Sequence, residues 1–136
     1  MKITRDRLQT ALTSKYGNDV LINGHHEHRL PNTLNVSFRG LKGIPQKVSK
    51  CHTETCTATD ILHVLAHQVA ASPGAACHSD HVTVSHVLQA MHVPSEYASG
   101  TVRFSTGRET TIEQIDAATQ YITHVVDSLR GMPGVQ

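Results

Sequence analysis

One cysteine and one arginine stand out in this sequence as side chains that could do chemistry. Cys77 follows the small-residue run 72–76, and Arg103 lies within the alternating segment 101–105. The thiolate is the nucleophilic form of cysteine, and the guanidinium is a planar fork that matches a carboxylate. This layout is compatible with a reactive thiol and an anchor for a carboxylate.

Two histidines follow the cysteine closely. His78 and His81 are candidates for proton exchange beside Cys77, because imidazole titrates near neutral pH. A free thiol has a pKa of about 8.5 and needs a nearby positive charge or donor to ionise. On spacing alone, a buried structural cysteine with exposed loop histidines is favoured. On the same ground, Arg103 fits a surface ion pair at a strand end.

The 11 histidines and three cysteines also indicate a metal-binding module as an alternative. The possible ligands are His25, His26 and His28; Cys51, His52 and Cys56; His63 and His67; and Cys77, His78 and His81. Zinc takes Cys and His ligands in tetrahedral geometry, and ligands at i and i+4 share one helix face. No Cys-x-x-Cys pair or matching second pair completes a set of four ligands. We therefore assign no metal ligands, and the metal-binding module stays an alternative.

Composition limits the classes of function. At 136 residues the chain is one domain of ordinary size. A net charge of +1 gives no electrostatic case for binding nucleic acid or an anionic membrane. No segment approaches the roughly 18 apolar residues of a membrane span, and the charged first residues do not resemble a signal peptide. We therefore expect reduced thiols and a cytoplasmic location.

Apolar spacing predicts an alternation of helices and strands. The predicted helices are 4–15, ended by Gly17; 60–67; a stripe of Val84, Val87, Leu88 and Met91, ended by Pro94; and a last helix from the capping box 110–113 to Leu129. The predicted strands are 33–38, 69–71 and 101–105, with a short apolar run at 20–22. No repeat or linker divides the chain, so the predicted class is a small α+β or α/β domain.

Ordered segments of the chain carry a resemblance to a known family. They are 29–38, 74–81, 85–91, 102–108 and 110–116. In this order they resemble the C-terminal portion of the cysteine desulfurase and selenocysteine lyase family, pyridoxal phosphate enzymes related to the class V aminotransferases. The Cys-His-Ser-Asp-His form of the loop that begins at Cys77 is more similar to the selenocysteine lyases.

The resemblance implies a fold and a function for the whole chain. Residues 1–136 resemble the small C-terminal domain of these enzymes, an α+β domain with helices on one side of a mainly antiparallel sheet. The complete enzyme would convert L-selenocysteine to L-alanine and a selenium species. Two alternatives stay open: cysteine desulfurase-like sulfur transfer, and a His/Cys-rich metal-binding or regulatory module.

By the same resemblance, individual residues acquire roles. Cys77 takes the position of the catalytic cysteine, with His78 and His81 as possible proton donors. Arg103 takes the position that binds the α-carboxylate of the amino-acid substrate. Asn35 matches a family asparagine that we interpret as structural.

The chain also departs from the family. The large domain with the cofactor lysine would lie upstream of Met1, and none of the five lysines here matches that lysine. We therefore expect no cofactor-binding residue in this chain, no activity from the chain alone, and a large domain supplied in cis or in trans, in a homodimeric complete enzyme. The segment 41–54 resembles an insertion. Pro73 replaces the expected serine or valine and could stiffen the cysteine loop by fixing φ.

Overall fold

A four-stranded antiparallel sheet organises the chain, for which a computed structural model describes residues 1–41, 58–66, 69–73 and 86–131. The strands are β1 (Val20–Ile22), β2 (Thr33–Phe38), β3 (Ala71–Pro73) and β4 (Thr101–Ser105). The helices are α1 (Lys2–Tyr16), α2 (Ala58–Leu65), α3 (His86–Ala90), α4 (Ser95–Ala98) and α5 (Ile112–Leu129), and one turn of 3₁₀ helix, Gly17–Asp19, follows α1. The order of strands in the sheet is β1-β2-β4-β3.

The two central strands separate apolar from polar side chains. In β2 the apolar residues Leu34, Val36 and Phe38 are buried, and in β4 so are Val102 and Phe104. Because side chains alternate between the faces of a strand, this pattern gives the sheet one apolar face. The register aligns the two sets, since Leu34 pairs with Phe104 and Val36 with Val102.

Helices cover the apolar face of the sheet. The core that they share with the strands includes Leu8, Leu12 and Tyr16 of α1, Ile61 and Leu65 of α2, and Ile115, Ile122, Val125, Val126 and Leu129 of α5. The apolar positions of α1 and α5 recur at helical spacing, so each helix presents one buried stripe. This arrangement confirms the predicted α+β class with helices on one side of an antiparallel sheet.

Polar contacts hold α1 against α5 along their length. Arg7 makes a bidentate contact with Asp116, with Nε at 2.9 Å from Oδ1 and Nη2 at 3.0 Å from Oδ2. At the other end of α1, the Tyr16 hydroxyl donates to Asp127 Oδ1 at 2.9 Å. Burial raises the pKa of the Tyr16 phenol above its usual value, and the bond to Asp127 adds to this effect. Tyr16 therefore stays a neutral hydrogen-bond donor in the folded protein.

An arginine ties the end of α5 to the sheet. The Arg130 guanidinium lies over the Tyr16 ring, 5.0 Å from its centroid. Its Nη2 donates to the carbonyl oxygens of Asp19 and Arg39, at 3.0 and 2.8 Å. These carbonyls flank β1 and β2, so one side chain joins the last helix to the first hairpin.

Most predicted elements agree with the structure, and three differ. The strands at 33–38 and 101–105 have the predicted bounds. The strand predicted at 69–71 lies at Ala71–Pro73, because the Val69 amide donates to the Leu65 carbonyl of α2 at 2.9 Å and is not available to a strand.

The capping box of α5 lies one residue later than predicted. Thr111 accepts a hydrogen bond from the Gln114 amide, and Gln114 Oε1 accepts one from the Thr111 amide in return. The predicted pair was 110 with 113. Thr110 is already used in the preceding turn, where its hydroxyl oxygen accepts from the Gly107 amide at 2.8 Å. The following residue is therefore the one available to cap the helix.

The apolar stripe before Pro94 does not form a buried helix face. The helix α3 has five residues, and of these Leu88 is buried. Val87 and Met91 are 66% and 42% exposed, so the predicted stripe is wrong for these two positions, and Val84 lies outside the described residues. A positive φ of 56° at His92 turns the chain away soon after α3 ends.

Other expectations concern parts of the chain that the structure covers incompletely. Of the segment 41–54, predicted to be an insertion, Leu41 is described and buried, and 42–54 lies outside the described residues. Among the helices of the described residues, none combines the length and the apolar character needed to span a lipid bilayer.

The burial of α5 leads to a graded test of the packing. Ile122 is fully buried, whereas its neighbour Tyr121 is 46% exposed. We expect Ile122→Ala to lower the free energy of unfolding by about 2–5 kcal/mol and Ile122→Val by about 0.5–1.5 kcal/mol. Tyr121→Ala, as the matched control, should change it by no more than about 0.5 kcal/mol. Urea denaturation measures all three, and equal effects at both positions would contradict the packing of α5 described above.

Candidate functional site

The face of the sheet opposite the helices is polar. The residues that alternate with the buried apolar ones are Thr33, Asn35 and Ser37 on β2, Thr101, Arg103 and Ser105 on β4, and Ser72 on β3. Their positions follow from the alternation of side chains along each strand. The candidate residue Arg103 therefore projects from the polar face and not into the core. We call this the open face because Arg103 and Ser105 are exposed on it, although Ser37 and Thr101 at its other end are buried.

Arg103 lies at the centre of this face. It pairs with Asn35 across β2 on one side and with Ser72 across β3 on the other. Its side chain is exposed, and its Nε donates to Ser72 Oγ at 3.2 Å. Within the described parts of the chain, this is the one hydrogen bond of its guanidinium, and no carboxylate contacts it.

Four of the seven arginines contact a carboxylate within the described residues, and Arg103, like Arg29 and Arg108, does not. The arginines that contact a carboxylate are Arg5 with Asp6, Arg7 with Asp116, Arg39 with Glu96, and Arg130 with Asp19. Arg103 has no such partner among the described residues; its side chain is exposed, and no described residue bonds to its two terminal nitrogens. A guanidinium in this state is suited to bidentate binding of a carboxylate that comes from outside the chain.

A row of buried hydrogen bonds supports the strands beside Arg103. Asn23 Nδ2 donates to Asn35 Oδ1 at 2.9 Å and to Ser37 Oγ at 2.7 Å. Ser37 Oγ lies 2.6 Å from Thr101 Oγ1, which in turn donates to the Ala98 carbonyl at 2.9 Å. This row links β1, β2 and β4, and it gives Asn35 the structural role that was predicted for it.

The cysteine and the histidines predicted to act with Arg103 lie outside the described residues. These are Cys77, His78 and His81, within the segment 74–85. The structure describes the strand that leads into this segment, where Ser72 bonds to Arg103 and Pro73 pairs with Val102. The catalytic role of Cys77 and the proton-donor roles of the two histidines stay predictions.

The described lysines do not fit a site for an aldehyde cofactor. Lys2 and Lys15 both belong to α1, and the Lys15 ammonium lies 2.5 Å from Asp127 Oδ2. A Schiff-base lysine must instead be deprotonated beside a cofactor pocket. The remaining lysines, Lys42, Lys47 and Lys50, lie outside the described residues. Neither described lysine is thus placed as a Schiff-base lysine would be, and the absence of a cofactor-binding residue stays a prediction.

The described histidines likewise do not form a metal site. Among the described residues, no group of three or more His, Cys, Asp or Glu side chains could hold a metal ion. The His25 ring stacks against His26 and packs against His28, at centroid distances of 4.7 and 4.6 Å. Its Nδ1 accepts hydrogen bonds from the amides of Glu27 and His28, so the ring stabilises the turn between β1 and β2. His63 is exposed on α2.

Sequence reasoning missed one residue of this site. Ser72 was noted only as the first of the small residues before Cys77. Its contact with Arg103 depends on the antiparallel register of β3 and β4, which places residues 31 positions apart side by side. The alternation of side chains along a strand could have indicated Ser72. In an antiparallel pairing of its strand with 101–105, Ser72 can lie on the same face as Arg103.

Comparison with known proteins identifies relatives of the chain. No family model matches it. Over 97% of its residues, the chain is 36% identical to a cysteine desulfurase of Gluconacetobacter diazotrophicus. Over 94% of its residues, it is 33% identical to the cysteine desulfurase NifS of Azotobacter vinelandii. The chain spans only 29% and 28% of these two proteins.

Solved structures share the fold. A NifS-like protein matches 94% of the chain with a TM-score of 0.66 and 22% identity, and the chain covers 27% of it. A NifS-like protein from Rickettsia africae matches 93% with a TM-score of 0.61 and 23% identity, and the chain covers 29% of it. Both sequence relatives are named cysteine desulfurases. This agrees with the alternative of cysteine desulfurase-like sulfur transfer more than with the selenocysteine lyase prediction. The chain is therefore homologous to the cysteine desulfurases and corresponds to less than a third of their length.

Proposed function

We propose that this chain is the small domain of a pyridoxal phosphate-dependent enzyme that removes sulfur from L-cysteine. The observation that carries the proposal is the 36% identity to a protein named cysteine desulfurase, in an alignment that includes 97% of the chain. Cysteine desulfurases are pyridoxal phosphate enzymes. When bound, the cofactor supplies the sink for the electrons of the bond that breaks.

The chain's own contribution begins with Arg103. We assign it the binding of the substrate α-carboxylate, because its guanidinium is exposed on the open face and contacts no carboxylate among the described residues. Two parallel N–H···O bonds fix both the position and the orientation of a carboxylate. An amino acid held in this way keeps its Cβ and its sulfur in a defined direction relative to the sheet.

Cys77 is the proposed acceptor of the sulfur atom. Its segment follows β3 directly in the chain, and β3 is the strand that contacts Arg103 through Ser72. The thiolate is the reactive form of this residue. His78 and His81 are the proposed groups that exchange protons with it near neutral pH.

A second candidate substrate is L-selenocysteine. The support is the sequence Cys77-His78-Ser79-Asp80-His81, which is similar to the selenocysteine lyases. A selenol is more acidic than a thiol, so selenocysteine arrives more fully ionised than cysteine. A protonated Cys77 or a neighbouring histidine would then favour the selenium substrate.

The cofactor site itself is assigned to the rest of the family protein. The chain spans 29% of its curated relative, and the described lysines do not fit the cofactor. We propose that a large domain, in cis or in trans, supplies the lysine and the phosphate-binding groups. The homodimer and the cytoplasmic location stay predictions.

A graft into a relative tests the role of Arg103. The chain replaces the matching segment of the Gluconacetobacter diazotrophicus enzyme, and retained cofactor absorbance after gel filtration shows that the graft is folded. Arg103→Ala removes a charge-assisted contact, so kcat/KM for L-cysteine should fall by about 10- to 100-fold. Arg108→Ala, the control at an exposed arginine, should leave it unchanged. Equal losses in both variants, or an unchanged kcat/KM in Arg103→Ala, would contradict the assignment.

The same graft tests Cys77 and the choice of substrate. In the proposed step the Cys77 thiolate attacks the substrate sulfur, the C–S bond breaks and Cys77 carries the sulfur as a persulfide, from which an added thiol reductant releases sulfide. Cys77→Ala should therefore lower sulfide release from L-cysteine, measured with that reductant present, by at least about 100-fold. Cys51→Ala serves as the matched control. Turnover of L-selenocysteine is measured in parallel, and a higher kcat/KM for it than for L-cysteine would favour the second candidate. Unchanged turnover of both substrates in Cys77→Ala would rule out the proposed role of this thiol.

The isolated 136-residue chain should release no sulfide from L-cysteine, even with pyridoxal phosphate and a thiol reductant added. The reason is that neither described lysine fits the cofactor. Methylene-blue detection of sulfide, with Arg103→Ala as the blank, measures this. Release above the blank would show that the chain holds the cofactor without a large domain.

A further inference from the structure

Ser72 and Arg103 form a cross-strand pair on the open face. They are direct neighbours in the register of β3 and β4, and Arg103 Nε donates to Ser72 Oγ at 3.2 Å. The other neighbour of Arg103 across the sheet is Asn35, whose amide oxygen already accepts from Asn23 at 2.9 Å. Ser72 is therefore the described residue that restrains the guanidinium.

The atom used in this bond matters for what Arg103 can bind. A guanidinium offers a carboxylate two bidentate edges: the Nε–Nη edge at the side, and the pair of terminal Nη nitrogens at the end. Ser72 occupies Nε, so the side edge is blocked, and no described residue bonds to the nitrogens of the end edge. The bond also limits rotation of a long, exposed side chain, which otherwise loses conformational entropy when it binds a ligand.

We infer that Ser72 is a positioning residue that holds the Arg103 guanidinium so that its two terminal nitrogens receive the substrate α-carboxylate end-on. This inference rests on the proposed carboxylate-binding role of Arg103. Ser72 itself does not touch the substrate in this arrangement. It acts by orienting the arginine, and because it adjoins the segment that carries Cys77, it links the carboxylate anchor to the base of that segment.

The kinetic test uses the graft described above with four variants. Ser72→Ala should raise the KM for L-cysteine by roughly 2- to 10-fold, the range of one neutral hydrogen bond, with little change in kcat. Ser72→Thr keeps the hydroxyl and should restore the KM to near the wild-type value. Ser105→Ala removes an exposed serine from the same face of β4 and should have no effect. Arg103→Ala measures how much Arg103 itself contributes to the KM for L-cysteine.

The outcomes distinguish the carboxylate-binding role of Arg103 from the positioning role of Ser72. A raised KM in Arg103→Ala with an unchanged KM in Ser72→Ala overturns the positioning role and leaves the proposed function intact. An unchanged KM in Arg103→Ala overturns both. Equal effects of Ser72→Ala and Ser105→Ala, or no rescue by Ser72→Thr, would show a general effect on the sheet and overturn the positioning role.

A second measurement needs neither the graft nor activity. In the ¹⁵N-labelled 136-residue chain, the Arg103 Nε–H signal is assigned by its loss in Arg103→Lys. A bonded Nε–H exchanges with water more slowly than a free one, so Ser72→Ala should speed this exchange by roughly the same 2- to 10-fold. Ser72→Thr and Ser105→Ala should leave it near the wild-type rate. Equal exchange rates in wild type and Ser72→Ala would overturn the inference.

Discussion

The pairing of β2 with β4 is the constraint on which the rest of the molecule depends. It runs from Thr33 opposite Ser105 to Ser37 opposite Thr101. Because the side-chain period of a strand is two, this register decides which face every residue occupies. A slip of one residue would bury the Arg103 charge among the apolar side chains and expose Phe104. The separation of core from candidate site therefore follows from one ladder of backbone hydrogen bonds.

The two faces stabilise that register in different ways. On the covered face, burial of Leu34, Val36 and Phe104 under the helices supplies a non-directional driving force. On the open face, the hydroxyls of Ser37 and Thr101 form a buried bond, which is directional and would be lost in any other register. Apolar burial thus supplies stability, and the polar row supplies uniqueness at the strands next to the candidate site.

How much could be predicted from the sequence depended on the range of the interactions involved. The strands β2 and β4 were predicted with their correct bounds, because alternation is a local signal. The prediction that Val87 and Met91 lie on a buried helix face was wrong, since helical spacing over one short turn does not show whether another element covers that face. Arg103 was singled out on a family resemblance, and Ser72 was missed, because its contact crosses two strands that are distant in the chain.

The outer position of β3 has a further consequence. This strand lies at one edge of the sheet and ends at Pro73, which has no amide hydrogen to donate. Exposed edges are where sheets from separate molecules join, and proline is one of the residues that discourage such growth. Among the described strands, the edge beside Arg103 therefore ends in a residue that discourages strand addition by another molecule and the aggregation that follows from it.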